Sequence, residues 1–115
     1  MAVTVTTHIL GKGSGFSKQG ISADAQGTET IVAAVAGKSH LISSIMIYCL
    51  SAITITIQDN TGTPVVIVGG ITFTTTAQPA VYNFRNPIKV ASGKSIDVVA
   101  SGAGQVVVHV QGTTE

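Results

Sequence analysis

Two Gly-Lys-Ser tripeptides, Gly37-Lys38-Ser39 and Gly93-Lys94-Ser95, are the nearest approach to a reaction motif in this chain. A phosphate-cradling loop needs a glycine five residues ahead of the Gly-Lys pair and a helix after it, so that backbone N–H groups converge on the phosphates. The upstream positions hold Val32 and Ile88, and both tripeptides run into strand-like sequence. They read as hairpin turns. Gly11, Gly13 and Gly15 miss the dinucleotide fingerprint, which follows a strand and opens a helix. His8, His40 and His109 share no metal-ligand spacing. His109 has the parity opposite to Val108 and Val110, so it is expected to face solvent or a neighbouring subunit. Cys49 lies in the apolar run Ile45-Met46-Ile47-Tyr48-Cys49-Leu50 with no base or cation beside it, the setting of a buried, inert thiol. The carboxylates Asp24, Glu29, Asp59, Asp97 and Glu115 show no pairing for acid–base work. Asp59 reads as a turn residue and Asp97 as part of a solvated strand face. No catalytic residue, metal site or cofactor is expected, and the chain is not expected to be an enzyme.

The elements around these residues are strands. Of 115 residues, 15 are Val, 13 Ile and 15 Thr, all stiff at χ1 and suited to a pleated surface. Charged residues make up 10 % of the chain, where a soluble domain averages about 25 %. A lone monomer with so little charge is short of solubilising surface, so copies of itself or a partner are expected to cover part of it. The net charge of +1, with scattered basic residues, excludes a strong electrostatic footprint for nucleic acid or an anionic membrane. A single cysteine and an alternating start (Val3, Thr4, Val5, Thr6) in place of a continuous apolar stretch fit folding in a reducing cytoplasm.

Residues 1–28 read as an extended N-terminal arm, because five glycines between Gly11 and Gly27 argue against a packed element. Ordering such an arm costs about 1–2 kcal/mol per residue of backbone entropy, so it needs a partner to hold it. Val3 and Val5 are placed to pair as an added strand; Ile9, Leu10 and Phe16 offer apolar anchors, and Lys12 and Lys18 suit an acidic surface. The alternative is a strand that completes the domain's own sheet. From residue 29 to residue 115 short strands follow one another at close spacing, without a helical period. Glu29–Val35, His40–Leu50, Ser51–Gln58, Val65–Thr74, Gln78–Phe84, a piece around Ile88–Val90, Ser95–Ala100 and Gln105–Gln111 are the expected strands, the last two joined as a hairpin. His40–Leu50 is apolar on both parities, so a second face carrying Met46, Tyr48 and Leu50 is expected beside a subunit contact, with His109. The pattern predicts an all-β antiparallel sandwich of jelly-roll type.

The opening Thr30-Ile31-Val32-Ala33-Ala34-Val35-Ala36-Gly37-Lys38, followed by His40–Leu50, and the close from Ile88 through Ser92-Gly93-Lys94-Ser95 to Val106-Val107-Val108-His109-Val110-Gln111-Gly112, carry a resemblance. Across residues 29–112 the chain resembles the small jelly-roll proteins that decorate or cement the heads of tailed bacteriophages, often as trimers. The resemblance implies a structural virion protein on the head surface, a homotrimer bound to the major capsid protein, with no catalytic residues. The same domains occur in head fibres and tail-associated proteins, so a receptor- or glycan-binding module is the alternative.

Overall fold

The computed structural model describes residues 4–7, 15–22, 27–49, 51–74, 79–102 and 104–115. Nine strands run in order: β1 (Thr4–Thr7), β2 (Gly15–Ser22), β3 (Gly27–Val32), β4 (His40–Cys49), β5 (Thr54–Asp59), β6 (Val66–Thr72), β7 (Ala80–Lys89), β8 (Ile96–Ala100) and β9 (Val106–Thr114). They form a five-stranded sheet, β1-β2-β9-β4-β7, and a four-stranded sheet, β3-β8-β5-β6, with antiparallel pairing throughout. Without β1, these are the two interleaved four-stranded sheets of a jelly roll, an all-β antiparallel sandwich.

The period-2 pattern places the core. From the larger sheet Ile42, Ile45, Ile47, Cys49, Val106, Val108 and Val110 point inward; from the smaller come Ile53, Ile55, Ile57, Ile96, Val98 and Ala100. These side chains, all β-branched but Cys49 and Ala100, interdigitate between sheets about 10 Å apart. The two parities of β4 part as the sequence implies: Ile45 and Ile47 are fully buried, and Met46 and Tyr48 stay half-exposed on the outer face. Among the described residues, β4 commits Ile42, Ile45, Ile47 and Cys49 to the core and turns Met46 and Tyr48 the other way.

Three expectations give way. First, residues 15–22 are not part of an arm. They form β2, which pairs with β9 over eight positions, and Phe16 is a core residue, 7 % exposed. The sandwich therefore begins well before residue 29. Second, β8 and β9 are not a hairpin; they lie in opposite sheets, each donating an inner face to the same core. The Gly-Lys-Ser turns likewise cross between sheets, joining β3 to β4 and β7 to β8. Third, the two short segments on either side of Phe84–Pro87 are one strand, β7. Pro87 is tolerated there because β7 is an edge strand with a register shift opposite Ile42 and Ser44, where a missing N–H leaves no ladder bond unmade.

Candidate assembly surface

The two outer faces of the sandwich differ in chemistry. On the smaller sheet Thr28, Thr30, Thr54, Thr56, Gln58 and Thr72 stand outward, with Thr54 bonded to Thr72 at 3.1 Å. Val99, between Thr28 and Thr56, is an apolar member of this hydroxyl-rich face. Asp97 belongs to this face but is not solvated as expected. It is 5 % exposed, because its Oδ1 accepts the hydroxyls of Thr30 at 2.9 Å and Ser95 at 2.7 Å.

The larger sheet exposes more apolar surface. Val81, Met46 and His109 occupy one row across β7, β4 and β9, and Tyr48 and Val107 the next. Val81 is 57 % exposed. Of the residues expected at a subunit contact, Met46, Tyr48 and His109 are thus brought together on one face, and Leu50 lies outside the described residues. His109 joins Ser17 across the sheet, Nε2 to Oγ at 2.6 Å. Sequence reasoning missed Val81 and Val107 as members of this face. The signal available was their parity, which is shared with Met46 once the strand pairing is known.

The expected shell-binding set is dispersed. Val3, Ile9, Leu10 and Lys12 lie outside the described residues. Val5 is exposed on β1, whereas Phe16 is committed to the core. Lys18 stands opposite Val110, on the inward parity of β2, and is half-buried.

The two Gly-Lys-Ser turns meet at one end of the sandwich, where the Gly93 N–H donates to the Lys38 carbonyl at 2.8 Å. They share one geometry: Gly37 at φ 73° and Gly93 at φ 74°, with Lys38 N–H bonded to Val35 O and Lys94 N–H to Ala91 O. A left-handed residue at the third turn position is a glycine requirement. Their N–H groups are engaged inside the chain, Ser39 with Glu115 O and Ser95 with Asn60 Oδ1, so they form no phosphate cradle.

His40 is a structural pin. Its Nε2 donates to the Ala33 carbonyl at 2.8 Å, its Nδ1 meets Thr114 Oγ1 at 2.8 Å, and its ring packs edge-on against Phe16. Both ring nitrogens are used, so neither is offered to a metal. Cys49 is fully buried, and no cluster of three metal-ligating side chains exists among the described residues. Beside β6 and β7, the edge strands of the two sheets among the described residues, a cleft of about 560 Å³ is lined by Val65, Val66, Ile67, Ile88 and Val90 together with Ser39 and Asp59.

Asp59 is the buried carboxylate whose titration is shifted. Burial by itself raises its pKa, but the backbone N–H groups of Val65 and Thr61, the Thr61 hydroxyl and the positive charge of Lys94 outweigh that and leave it below the ordinary value. A folded pKa below the unfolded value of about 3.9 gives stability that is complete above the unfolded pKa and lost as pH falls through the folded one. Urea midpoints should therefore drop between pH 6 and pH 2, and Asp59→Asn should flatten that drop. Equal pH slopes for variant and wild type would refute the assignment. At neutral pH Asp59→Ala should cost about 1–3 kcal/mol, since it strands two N–H groups.

The fold and its surfaces define a jelly-roll sandwich with one threonine-rich outer face and one outer face on which Val81, Met46, Tyr48 and Val107 stand among polar neighbours. No family model and no curated protein matches the chain. Among solved structures it is similar to a pentameric capsid protein isolated from metagenomic phage sequences, with 19 % identity and a TM-score of 0.45 over 86 % of this chain and 59 % of that one. It is also similar to CapF in complex with 3-isopropenyl-tropolone, with 12 % identity and a TM-score of 0.44 over 95 % of this chain and 28 % of that one. The capsular polysaccharide assembling protein CapF from Staphylococcus aureus matches at 9 % identity and a TM-score of 0.31, over 96 % and 31 %. The chain spans less than two thirds of each of these proteins.

Proposed function

We propose that this chain is a structural subunit of a bacteriophage virion, a decoration or cement protein that forms a homotrimer on the head surface and binds the major capsid protein. The observation that carries the reading is the outward-facing cluster of Val81, Met46, Tyr48 and Val107 beside His109 on one face of a sandwich whose other face is threonine-rich. An enzyme needs convergent reactive groups, and a subunit needs a face that is better covered than wet. The resemblance to small jelly-roll phage head proteins supplies the virion context. Val5, exposed on edge strand β1, is a described residue still available to a shell protein.

A glycan-binding fibre module is less well supported, because such modules offer exposed aromatic platforms. Here Phe16 and Phe73 are core residues, Tyr82 and Phe84 stack on each other against the core, and Tyr48 stands alone on the outer face of β4. The test is native mass measurement of the purified protein together with cosedimentation with undecorated heads of a tailed phage. A three-chain mass and a salt-resistant, saturable pellet with the heads are expected. A micromolar monomer that stays in the supernatant would overturn the proposal.

A further inference from the structure

A sheet edge exposes a row of backbone N–H and C=O groups, and stable proteins guard it with charge, proline or brevity. Among the described residues, three of the four edges are guarded in this way. Strand β7 carries Arg85, Pro87 and Lys89, β3 carries Glu29, and β1 is four residues long. Strand β6 is the exception. No charged residue lies between Asp59 and Arg85, and Val66–Thr72 holds no proline. The adjacent Val65 and Val66, 60 % and 53 % exposed, stand where this edge begins.

Bulges are the one guard that β6 has, and they leave a residue unpaired. Its register against β5 shifts twice, so Ile67 falls between Val66, opposite Gln58, and Val68, opposite Ile57, with no partner on β5. A bulge takes the extra residue out of the ladder and re-aims its side chain. Ile67 packs partly against the core and lines the cleft beside β6 and β7, together with Val65, Val66, Ile88 and Val90.

Three features define what this place can hold. The first is the edge itself, since an extended backbone is what matches the free side of a strand. The second is size. Residues 65–67 and 88–90 line the cleft with about 10 Å of strand on each side, and alternate side chains of an extended segment stand about 6.6 Å apart. Two such side chains fit the volume of about 560 Å³, because sites of about 300–1,000 Å³ hold whole small ligands. The third is charge. Asp59 is occupied by the N–H groups of Thr61 and Val65, whereas Lys89 lines the cleft with its side chain 63 % exposed. Its ion pair with Glu115 is long, 3.7 Å, and Glu115 is itself 62 % exposed, so a second carboxylate can reach the same ammonium.

We propose that edge β6 and the cleft beside it take up an extended segment of a partner protein as an added strand. Two alternate apolar side chains of that segment enter the cleft, and a flanking carboxylate meets Lys89. The proposal goes beyond the virion reading and needs neither a trimer nor a shell, so each can fail without the other.

The test titrates the isotope-labelled full chain with a short synthetic peptide of alternating valine and threonine, ending in aspartate on both sides. Saturable amide shifts confined to residues 65–68 and 88–92 are expected, with cross-strand NOEs from the peptide to β6. Val66→Lys puts a charge on an exposed edge position; it should keep the wild-type melting temperature and weaken binding about tenfold. Val35→Lys, at an exposed valine elsewhere, should bind as wild type does. Lys89→Glu should turn the preference from the aspartate-ended peptide to a lysine-ended one, by about twofold to fivefold. No saturation by about 1 mM peptide, equal affinity in V66K and wild type, or an unchanged preference in K89E would overturn the proposal. So would octanol shifting these amides where the peptide does not, which makes the cleft a small-molecule site. A lower native mass for V66K without peptide would overturn it too, by assigning the edge to a second copy.

Discussion

Deleting residues 1–20 is expected to give a chain that no longer folds cooperatively and collects in the insoluble fraction. The deletion takes β1 and Gly15 to Gly20 of β2, six of the eight positions at which β2 pairs with β9. It also removes Phe16, and a core Phe→Ala change alone costs about 3–5 kcal/mol. The Ser17–His109 hydrogen bond goes with it. Strand β9, central in the native sheet, becomes an edge strand whose inner Val106, Val108 and Val110 lose cover on one flank. A domain of this size has about 5–15 kcal/mol in total, and these losses together reach that range. Phe16→Ala should stay folded, with its urea midpoint lowered by the single-residue cost. A truncated protein that is soluble, cooperative and within a few degrees of the wild-type melting temperature would show that the N-terminal residues serve a partner and not the sandwich.

The arm reading failed at β2 for a physical reason. Gly15-Phe16-Ser17-Lys18-Gln19-Gly20-Ile21-Ser22 carries two apolar side chains larger than glycine, too few for a period-2 signal. It is a strand because β9 offers it an unpaired ladder and because Phe16 closes one end of the core against His40. Tertiary context of that kind has no local signature. By contrast, β5 was legible from Ile53, Ile55 and Ile57 against Thr54 and Thr56, since only one inner face is available to it. The inner and outer parities of β4 were legible as well, and with them Met46, Tyr48 and His109 on a common outer face. Val81 and Val107 were not, because membership of that face depends on which strands are neighbours. Ser95 to Ala100 and Val106 to Gln111 look like a hairpin in sequence, since a short glycine-rich link fits a turn within a sheet and a crossing between sheets equally well. Asp97 had the right parity but the wrong burial, as nothing local announces that Thr30 arrives from β3 to cover it.

Replacing Gly112 should be among the most damaging single changes, and the reason is space and not backbone conformation. Gly112 has no positive φ. It sits on β9 opposite Ile42 on one side and Phe16 on the other, next to the bulge that shifts the β4 register between Ile42 and Ser44. There the β4 backbone comes so near that a Cβ would overlap the Leu41 carbonyl, with Phe16 Cζ 3.0 Å away on its other side. A flexible side chain could swing aside, but a carbonyl fixed in a central strand cannot move without opening the ladder. Close approach of this sort is what a glycine inside a strand usually marks. Overpacking a core commonly costs about 1–3 kcal/mol, and contact with backbone puts Gly112→Ala at the upper end or beyond, about 3 kcal/mol. At about 4–8 °C per kcal/mol for a domain near this size, that lowers the melting temperature by roughly 12–24 °C. Gly112→Val should exceed that and fail to fold. Gly62→Ala is the control, since a Cβ there meets nothing within 4 Å and no positive φ stands in the way. Its melting temperature should stay within a few degrees of wild type. Were Gly112→Ala to melt alongside Gly62→Ala, the tight packing of β4 on β9 at the bulge would be wrong. The neighbouring arrangement of Phe16 and His40, which shares that end of the core, would then have to be redrawn with it.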